Sequence, residues 1–322
     1  MASEAIRLLV TGGTGFVGRS LLRWLAQPGR AQVRPTLLSR DPARFAARFP
    51  DLAARVQLLP GDVRRFEPPS AGFTHVLHGA TDTSAEAHAH PDVIRETILL
   101  GTRRALEVAE RVGAGRVLML SSGAVYGPQP AHLAALPETF AGALDPADPG
   151  TSYGRAKLEA EALCEAWTAP GRSASVGRLF AFVGPDLALD AHFAIGNFLS
   201  DALAGRPILV KGDGSPVRTY LHQDDLAAWL WTLLVSGAPG RRYNVGSDEV
   251  VDMAGLARLV AGEVHPGLEV RVARARADYA GRQRYVPDLS RVKAELGLAV
   301  TVPLAEAIRR TAAWHRAAPL SR

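Results

Sequence analysis

Cysteine is almost missing from this chain of 322 residues: the single Cys164 sits in a helical pattern, which excludes an internal disulfide. Lysine is nearly as scarce. Of 37 basic side chains only Lys157, Lys211 and Lys293 are lysines, and the arginines are scattered among acidic residues and alanine. The formal charge of +5 is therefore a mild field that suits a small anionic ligand. Only RVARARADYAGRQR (271–284) is densely basic, and no aromatic-studded basic strand or zinc spacing accompanies it, so no nucleic-acid partner is expected. No apolar run approaches the ~20 residues that cross a bilayer. The opening MASEAIRLLV has no basic region, apolar core and small-residue cleavage site of a secretory signal. A cytoplasmic chain with no membrane partner is the expectation. His75, His78, His88 and His90 do not follow metal-ligand spacing, so no metal is expected; His78 falls on a strand near the ligand crevice.

What the chain does have is a globular balance, 47% hydrophobic and 21% charged, with a clear rhythm in its first half. Strand-like runs at 6–11, 33–39, 55–59, 74–80 and 116–122 alternate with helix-period segments at 16–27 and 93–112, and a helix at 152–167 and a strand at 173–180 continue the series. Continuous apolar strands alternating with helices predict an α/β fold, a doubly wound parallel sheet covered on both faces. After Gly184-Pro185 the elements shorten: helices at 194–205, 224–236, 252–264 and 302–314, and strands at 207–210 and 217–222. The reading is a Rossmann domain over 1–183 and a smaller substrate-binding region over 184–322, interwoven with the first and with an approximate boundary.

The segment LLVTGGTGFVG (8–18) places Gly12, Gly15 and Gly18 where a strand turns into a helix. Missing side chains there allow a tight turn, close approach of a pyrophosphate to the backbone, and close helix–strand packing, and the helix N-terminus offers its N–H groups to phosphate. Thr14, Phe16 and Val17 complete the loop, and Gly79, Ala80 and Thr81 close the crevice from the fourth strand, with Asp82 following. The second strand ends Leu38-Ser39-Arg40. An acidic residue at Ser39 would accept from the 2′-hydroxyl of NAD; a hydroxyl followed by a guanidinium suits a 2′-phosphate. NADP(H) is thus favoured over NAD(H). Asp41 reads as the cap of a helix starting at Pro42, and Asp62-Val63 as a contact to adenine or a plain turn.

Tyr153 and Lys157 are four apart at the start of a helix, hence on one face. A phenol with a pKa near ~10 is a poor base; a neighbouring ammonium and an oxidised nicotinamide favour the phenolate. Ser121 and Ser122 end the fifth strand in LSSGAVYG, where carboxyl ends face the crevice, and Tyr126 packs or lines the substrate site.

At these residues the chain resembles the extended short-chain dehydrogenases/reductases, in particular the nucleotide-sugar epimerase/dehydratase branch: TGGTGFVG, SSGAVYG, Tyr153-x-x-x-Lys157 and VRTYLHQDDLA (217–227) occur in the family's order and span nearly the whole chain. The resemblance implies Ser122, Tyr153 and Lys157 as catalytic residues, hydride transfer at a sugar carbon (C4), Arg218 as a grip on the substrate diphosphate, His222 and Asp225 as braces, and a homodimer formed through 93–112 and 152–167. Asn197, and Arg282 or Arg284, would add substrate contacts. Two departures matter. Dehydratases of this branch carry an Asp-Glu pair where this chain has Gly123-Ala124, and Leu179-Phe180-Ala181-Phe182 offers no amide where many epimerases have Asn. An NADPH-dependent reductase of a nucleotide-linked 4-keto sugar is the favoured outcome. A 4-epimerase with retained NAD, a reductase of non-nucleotide carbonyls and a non-catalytic cofactor sensor remain open.

Overall fold

Strands of four to seven residues are too short to stand alone, and here the intervening helices stitch them into one sheet. The computed structural model describes residues 6–30, 33–69, 72–81, 90–189, 193–274 and 283–317. The first half runs β1 (Leu8–Thr11), α1 (Phe16–Leu25), β2 (Thr36–Ser39), α2 (Pro42–Arg48), α3 (Pro50–Ala53), β3 (Gln57–Pro60), β4 (His75–His78), α4 (Pro91–Arg111), β5 (Arg116–Ser122), α5 (Ser152–Trp167) and β6 (Ser173–Leu179). The second half runs β7 (Phe182–Val183), α6 (Ala194–Leu203), β8 (Ile208–Val210), β9 (Val217–Thr219), β10 (Leu221–His222), α7 (Gln223–Ser236), β11 (Arg242–Val245), β12 (Val250–Asp252), α8 (Met253–Val264), β13 (Val270–Val272), β14 (Arg284–Tyr285), α9 (Ser290–Leu296) and α10 (Leu304–Ala317).

The main sheet has the order β11-β6-β5-β4-β1-β2-β3, and every pairing within it is parallel. Strand order reverses between β1 and β4, which opens a crevice beyond their carboxyl ends. Leu21, Leu22 and Leu25 of α1 meet Leu226, Trp229, Leu230 and Leu233 of α7 on one face of the sheet. Ile94, Ile98 and Leu106 of α4 meet Ala156 and Ala160 of α5 on the other. A separate core joins α6, α8 and α10 beneath the short sheets of the second half. The doubly wound parallel sheet read from the sequence is the observed architecture.

Two departures from the sequence reading have plain causes. The run 217–222, read as one strand, divides at Tyr220: Val217–Thr219 pairs antiparallel with β12 and parallel with β14, whereas Leu221–His222 pairs with β7. The run 242–245 was not read as a strand, yet it pairs with β6 as the seventh strand of the main sheet. Its alternate residues Tyr243 and Val245 are fully buried, but four residues between a helix and a turn carry too little periodicity to stand out.

Candidate active site

The three glycines of the first turn stand in three different surroundings. Gly12 has φ +75°, and a Cβ there would lie 2.5 Å from the carbonyl carbon of Gly79 and 2.6 Å from the nitrogen of Ala80. Gly18 packs against the turn itself, so its Cβ would fall 2.1 Å from the Cα of Gly13. At Gly15 a Cβ would meet only the Gly12 carbonyl oxygen, at 3.6 Å, and would otherwise project into open space. Gly15 is also the N-cap of α1, with no side-chain capping bond and no acidic residue in the first turn. The helix therefore presents bare N–H groups and its positive end to that space.

That space is a groove of about 680 Å³, lined by Gly12, Thr14, Gly15, Ser39, Arg40, Asp62, Val63, Ala80 and Thr81 together with residues of α4. Phe16 and Val17 turn away from it into the packing of α1; the Phe16 ring stacks on Phe182 at 6.4 Å. Its far wall is set by a buried relay. Thr11 Oγ1 accepts from the N–H groups of Gly79 and Ala80, at 3.3 Å each, so its proton goes to His78 Nδ1 at 2.8 Å. His78 Nε2–H then donates to Thr102 Oγ1 at 3.1 Å, which donates to the Ile98 carbonyl at 2.7 Å. Burial and the charge of Lys157 push His78 down to about 3, so it is a neutral structural residue.

At the end of β2, Ser39 is buried and its Oγ accepts from Asp41 N at 3.2 Å, while Arg40 is exposed on the groove rim. Asp41 caps α2 as expected, accepting from Arg44 N at 2.9 Å. Asp62 is paired with Arg64, Oδ2 to Nη2 at 2.8 Å, and this bond holds its carboxyl down at about 2. At the end of β2 the position that would carry the ribose-binding acid is thus Ser39, and the nearest carboxylate, Asp41, caps α2 through Oδ1.

The chemical residues adjoin the groove at Thr81. Tyr153 and Lys157 share a face of α5. Lys157 is buried and donates to Thr81 Oγ1 at 2.8 Å and to the Leu120 carbonyl at 2.9 Å. Burial lowers its ammonium to about 8, opposed by the charges of Cys164 and Glu161. Burial pushes the Tyr153 phenol above its ordinary value, and a hydrogen bond with Ser122 opposes this. The Lys157 ammonium stands 5.9 Å from the centre of the Tyr153 ring. Ser122 ends β5 and accepts from Ala124 N at 3.2 Å.

The outlying candidates divide. Arg218 lies on β9, donating to the carbonyls of Val217 and Gln283 at 2.9 Å, with its guanidinium 5.8 Å from the Tyr285 ring. Asn197 sits on the exposed face of α6. Arg284 donates to the Ala134 carbonyl at 3.1 Å. Asp82, His88 and Arg282 lie outside the described residues. Of the two readings of Tyr126, packing and lining the substrate site, its surroundings fit packing: it is fully buried, its hydroxyl donates to Asn244 Oδ1 at 2.8 Å and Arg178 covers its ring. His222 caps α7 through Nδ1, and the Asp225 carboxylate accepts from Thr301 N and Val302 N at 2.9 and 3.0 Å. Among the described residues no group of three or more His, Cys, Asp or Glu could hold a metal, and no helix is long and apolar enough to cross a membrane. Tyr285 was missed. It packs on Phe180 at 4.5 Å beside Ser122, and only the pairing of β14 with β9 brings it there.

Residues 8–246 match the model of the NAD dependent epimerase/dehydratase family. The chain is 29% identical over 317 residues to UDP-glucuronic acid decarboxylase 1 of Xenopus tropicalis, covering 96% of this chain and 72% of that protein. Among solved structures it is similar to dTDP-glucose 4,6-dehydratase from Streptomyces venezuelae with NAD bound, at TM-score 0.79 and 26% identity, with 97% of each chain covered. UDP-glucose 4-epimerase from Thermotoga maritima also superposes at TM-score 0.79, with 21% identity and 97% and 99% of the two chains covered. The glycine turn, the tyrosine–lysine pair and this match over most of the chain agree: the protein belongs to the NAD dependent epimerase/dehydratase family and is an enzyme of the extended short-chain dehydrogenase/reductase type.

Proposed function

We propose that this enzyme binds a nicotinamide dinucleotide along the β1–β4 crevice and transfers hydride at a carbon, C4, of a nucleotide-diphosphate sugar. The residues present fit the dinucleotide. Gly15 and the bare end of α1 would receive the pyrophosphate, Asp62 and Val63 the adenine, and Ala80, Thr81, Tyr153 and Lys157 the nicotinamide half. When bound, the nicotinamide supplies a ring carbon that takes or gives hydride and, when oxidised, a positive charge beside Tyr153. Tyr153 exchanges the hydroxyl proton of the sugar. Lys157 holds the ribose side of the groove and contributes cationic charge; Ser122 donates to the sugar oxygen. Arg218 would meet the diphosphate, with Asn197 and Arg282 further out. The observation that carries this reading is that Lys157, on one helix face with Tyr153 and beside Ser122, is hydrogen-bonded to Thr81, a wall of the groove that begins at the glycine turn.

The finer reading is an NADPH-dependent reductase of a 4-keto sugar. Arg40 on the groove rim, with Ser39 in place of a carboxylate and Asp41 committed to its cap, supports a 2′-phosphate. A 4-epimerase that retains NAD is the second reading, favoured by the likeness to a structure solved with NAD. Leu100 and Leu158, exposed on α4 and α5, support a homodimer through those helices. The test is to follow reduced-cofactor absorbance while the protein is given UDP-, dTDP-, GDP- and CDP-hexoses, their 4-keto-6-deoxy derivatives and UDP-glucuronic acid. Stoichiometric NADPH consumption with a keto sugar is expected. Isomer formation without net cofactor change selects the epimerase, and Arg40→Ala should weaken NADPH more than NADH.

A further inference from the structure

Arg19 is the fourth residue of α1, close to the helix N-terminus, where a cation works against the helix dipole. It is not a solvated surface charge. Its side chain is 14% exposed, its guanidinium carbon lies 4.6 Å from the centre of the Phe49 ring, and all three of its nitrogens are engaged. Helical side chains lean toward the N-terminus, and Nη1 accordingly donates to the Thr14 carbonyl at 2.6 Å. The N–H of the same peptide, on Gly15, donates to the Gly12 carbonyl at 3.3 Å. The Thr14–Gly15 peptide is thus fixed at both ends, and both residues line the groove. The other two nitrogens turn to Asp186, which lies between β7 and α6: Nη2 donates to its carbonyl at 2.8 Å and Nε to its Oδ1 at 3.2 Å. Burial lowers the Arg19 guanidinium, and the Asp186 charge opposes this. Asp186 is itself anchored. Its N–H donates to Gln223 Oε1 at 2.9 Å, at the start of α7, and its Oδ2 accepts from Arg23 Nε at 2.9 Å. Gln223 is buried against Gly184, where an added Cβ would lie 2.5 Å from that Oε1.

We propose that Arg19 and Asp186 are positioning residues for the dinucleotide: Asp186, from the second half of the chain, holds Arg19, and Arg19 holds the Thr14–Gly15 peptide where the pyrophosphate is received. This deepens the dinucleotide reading given above and rests on it. A glycine turn has little stiffness of its own, because Gly12, Gly13 and Gly15 have no side chains to anchor it. A peptide free to rotate there shows its carbonyl oxygen to an arriving phosphate part of the time, and like charges repel. With a guanidinium on that oxygen, its negative end is compensated and the peptide keeps one orientation, so less freedom is lost when the anion binds. The fork matters as much as the charge. One planar guanidinium reaches Thr14 on one side and two acceptors of Asp186 on the other, which the single nitrogen of a lysine cannot do. Dinucleotide affinity is thereby set in part from the segment between β7 and α6, and through Gln223 from the start of α7.

Arg19→Met removes the fork and keeps most of the side-chain volume. In calorimetry with the full chain it should weaken NAD and NADPH about tenfold, the scale of a hydrogen bond to a charged group. Arg19→Lys, which keeps the buried charge and loses the fork, should move affinity the same way. Asp186→Asn should weaken binding about threefold, since a charge-assisted bond is roughly twice as strong as a neutral one. The double variant Arg19→Met with Asp186→Asn should bind no worse than Arg19→Met alone, because Asp186 acts only through Arg19. Arg23→Gln controls for general loosening, as it breaks another bond to the same carboxylate without reaching the turn. Its melting temperature should fall while dinucleotide affinity stays within about twofold. In turnover, Arg19→Met should raise KM for the dinucleotide and leave kcat at saturation within about twofold, the mark of lost binding rather than lost chemistry. Unmoved affinity in both Arg19 variants overturns the proposal. So does a loss in Arg23→Gln as large as that in Arg19→Met, or losses that multiply in the double variant. A wild type that binds neither NAD nor NADPH fails the proposed function, and this proposal with it. If the wild type binds dinucleotide but turns over no nucleotide sugar, only the reaction fails, and the same calorimetry decides the role of Arg19.

Discussion

Tyr153 and Lys157 are one helical turn apart, but the structure gives them different surroundings. Burial raises the Tyr153 phenol and lowers the Lys157 ammonium to about 8, so each is driven toward its neutral form and each is held by a hydroxyl: Ser122 for the tyrosine, Thr81 for the lysine. Tyr153→Phe is expected to lose turnover by about a hundredfold or more, the scale of a missing general acid–base group, while dinucleotide affinity measured by calorimetry stays near wild type. Lys157 sets a pH limb of known sign. Its folded value lies below that of the unfolded chain, roughly 10.4, so the folded protein sheds this proton first as pH rises through about 8. Between those values the unfolded chain binds more protons, and this group adds stability with rising pH, whereas activity that needs the ammonium declines. A kcat profile falling above pH 8, with Lys157→Arg lacking that limb because arginine stays charged, is the outcome to look for.

Elements position these groups through two tight contacts. One is the turn before α1, where Gly18 leaves no room for a methyl against Gly13. Gly18→Ala must push α1 off the turn at Gly13, and dinucleotide binding should weaken by an order of magnitude or more while the far-ultraviolet spectrum is retained; unchanged affinity would remove the turn from the binding argument. The other contact knits α5 to β5, β6 and β11. Glu161 is buried one turn beyond Lys157 and accepts from Ser121 Oγ at 2.6 Å, Arg178 Nη2 at 2.7 Å and Arg242 Nε at 3.0 Å. Burial lowers the Arg178 guanidinium, but the bond and charge of Glu161 outweigh it and hold Arg178 above its ordinary value. Glu161→Gln leaves that cation without its counter-charge, which costs about 3–5 kcal/mol for a buried pair broken on one side. Urea unfolding would read this as a lower midpoint with an unchanged slope.

Across the whole molecule, burial keeps His75, His78, His222 and His315 below the ordinary histidine value, His78 at about 3. The unfolded chain takes up these protons near roughly pH 6.5, and the folded chain does so only at lower pH. Stability from all four is present above that value and is lost as pH falls through it. The melting temperature should therefore drop between pH 7 and 5. His78→Gln should flatten part of the slope, since it removes the most strongly shifted of the four.

Period, punctuation and spacing along the chain determined a good deal. The alternation of apolar strands with amphipathic helices forces a parallel sheet covered on both faces, the Gly12-Gly15-Gly18 spacing marks the turn where β1 meets α1, and the four-residue interval of Tyr153 and Lys157 puts both on one helix face. These features are local, because strand and helix periods act over a few residues. What only the tertiary structure decided is non-local. β11 joins the main sheet from within the second half of the chain, among the short elements, Tyr126 is turned inward by Asn244 on that strand, and Tyr285 arrives beside Ser122 because β14 pairs with β9. Each depends on a contact between residues more than a hundred positions apart or on a strand too short to announce itself. Such contacts form only after the sheet and its helices have brought distant segments together, so no local pattern of residues encodes them.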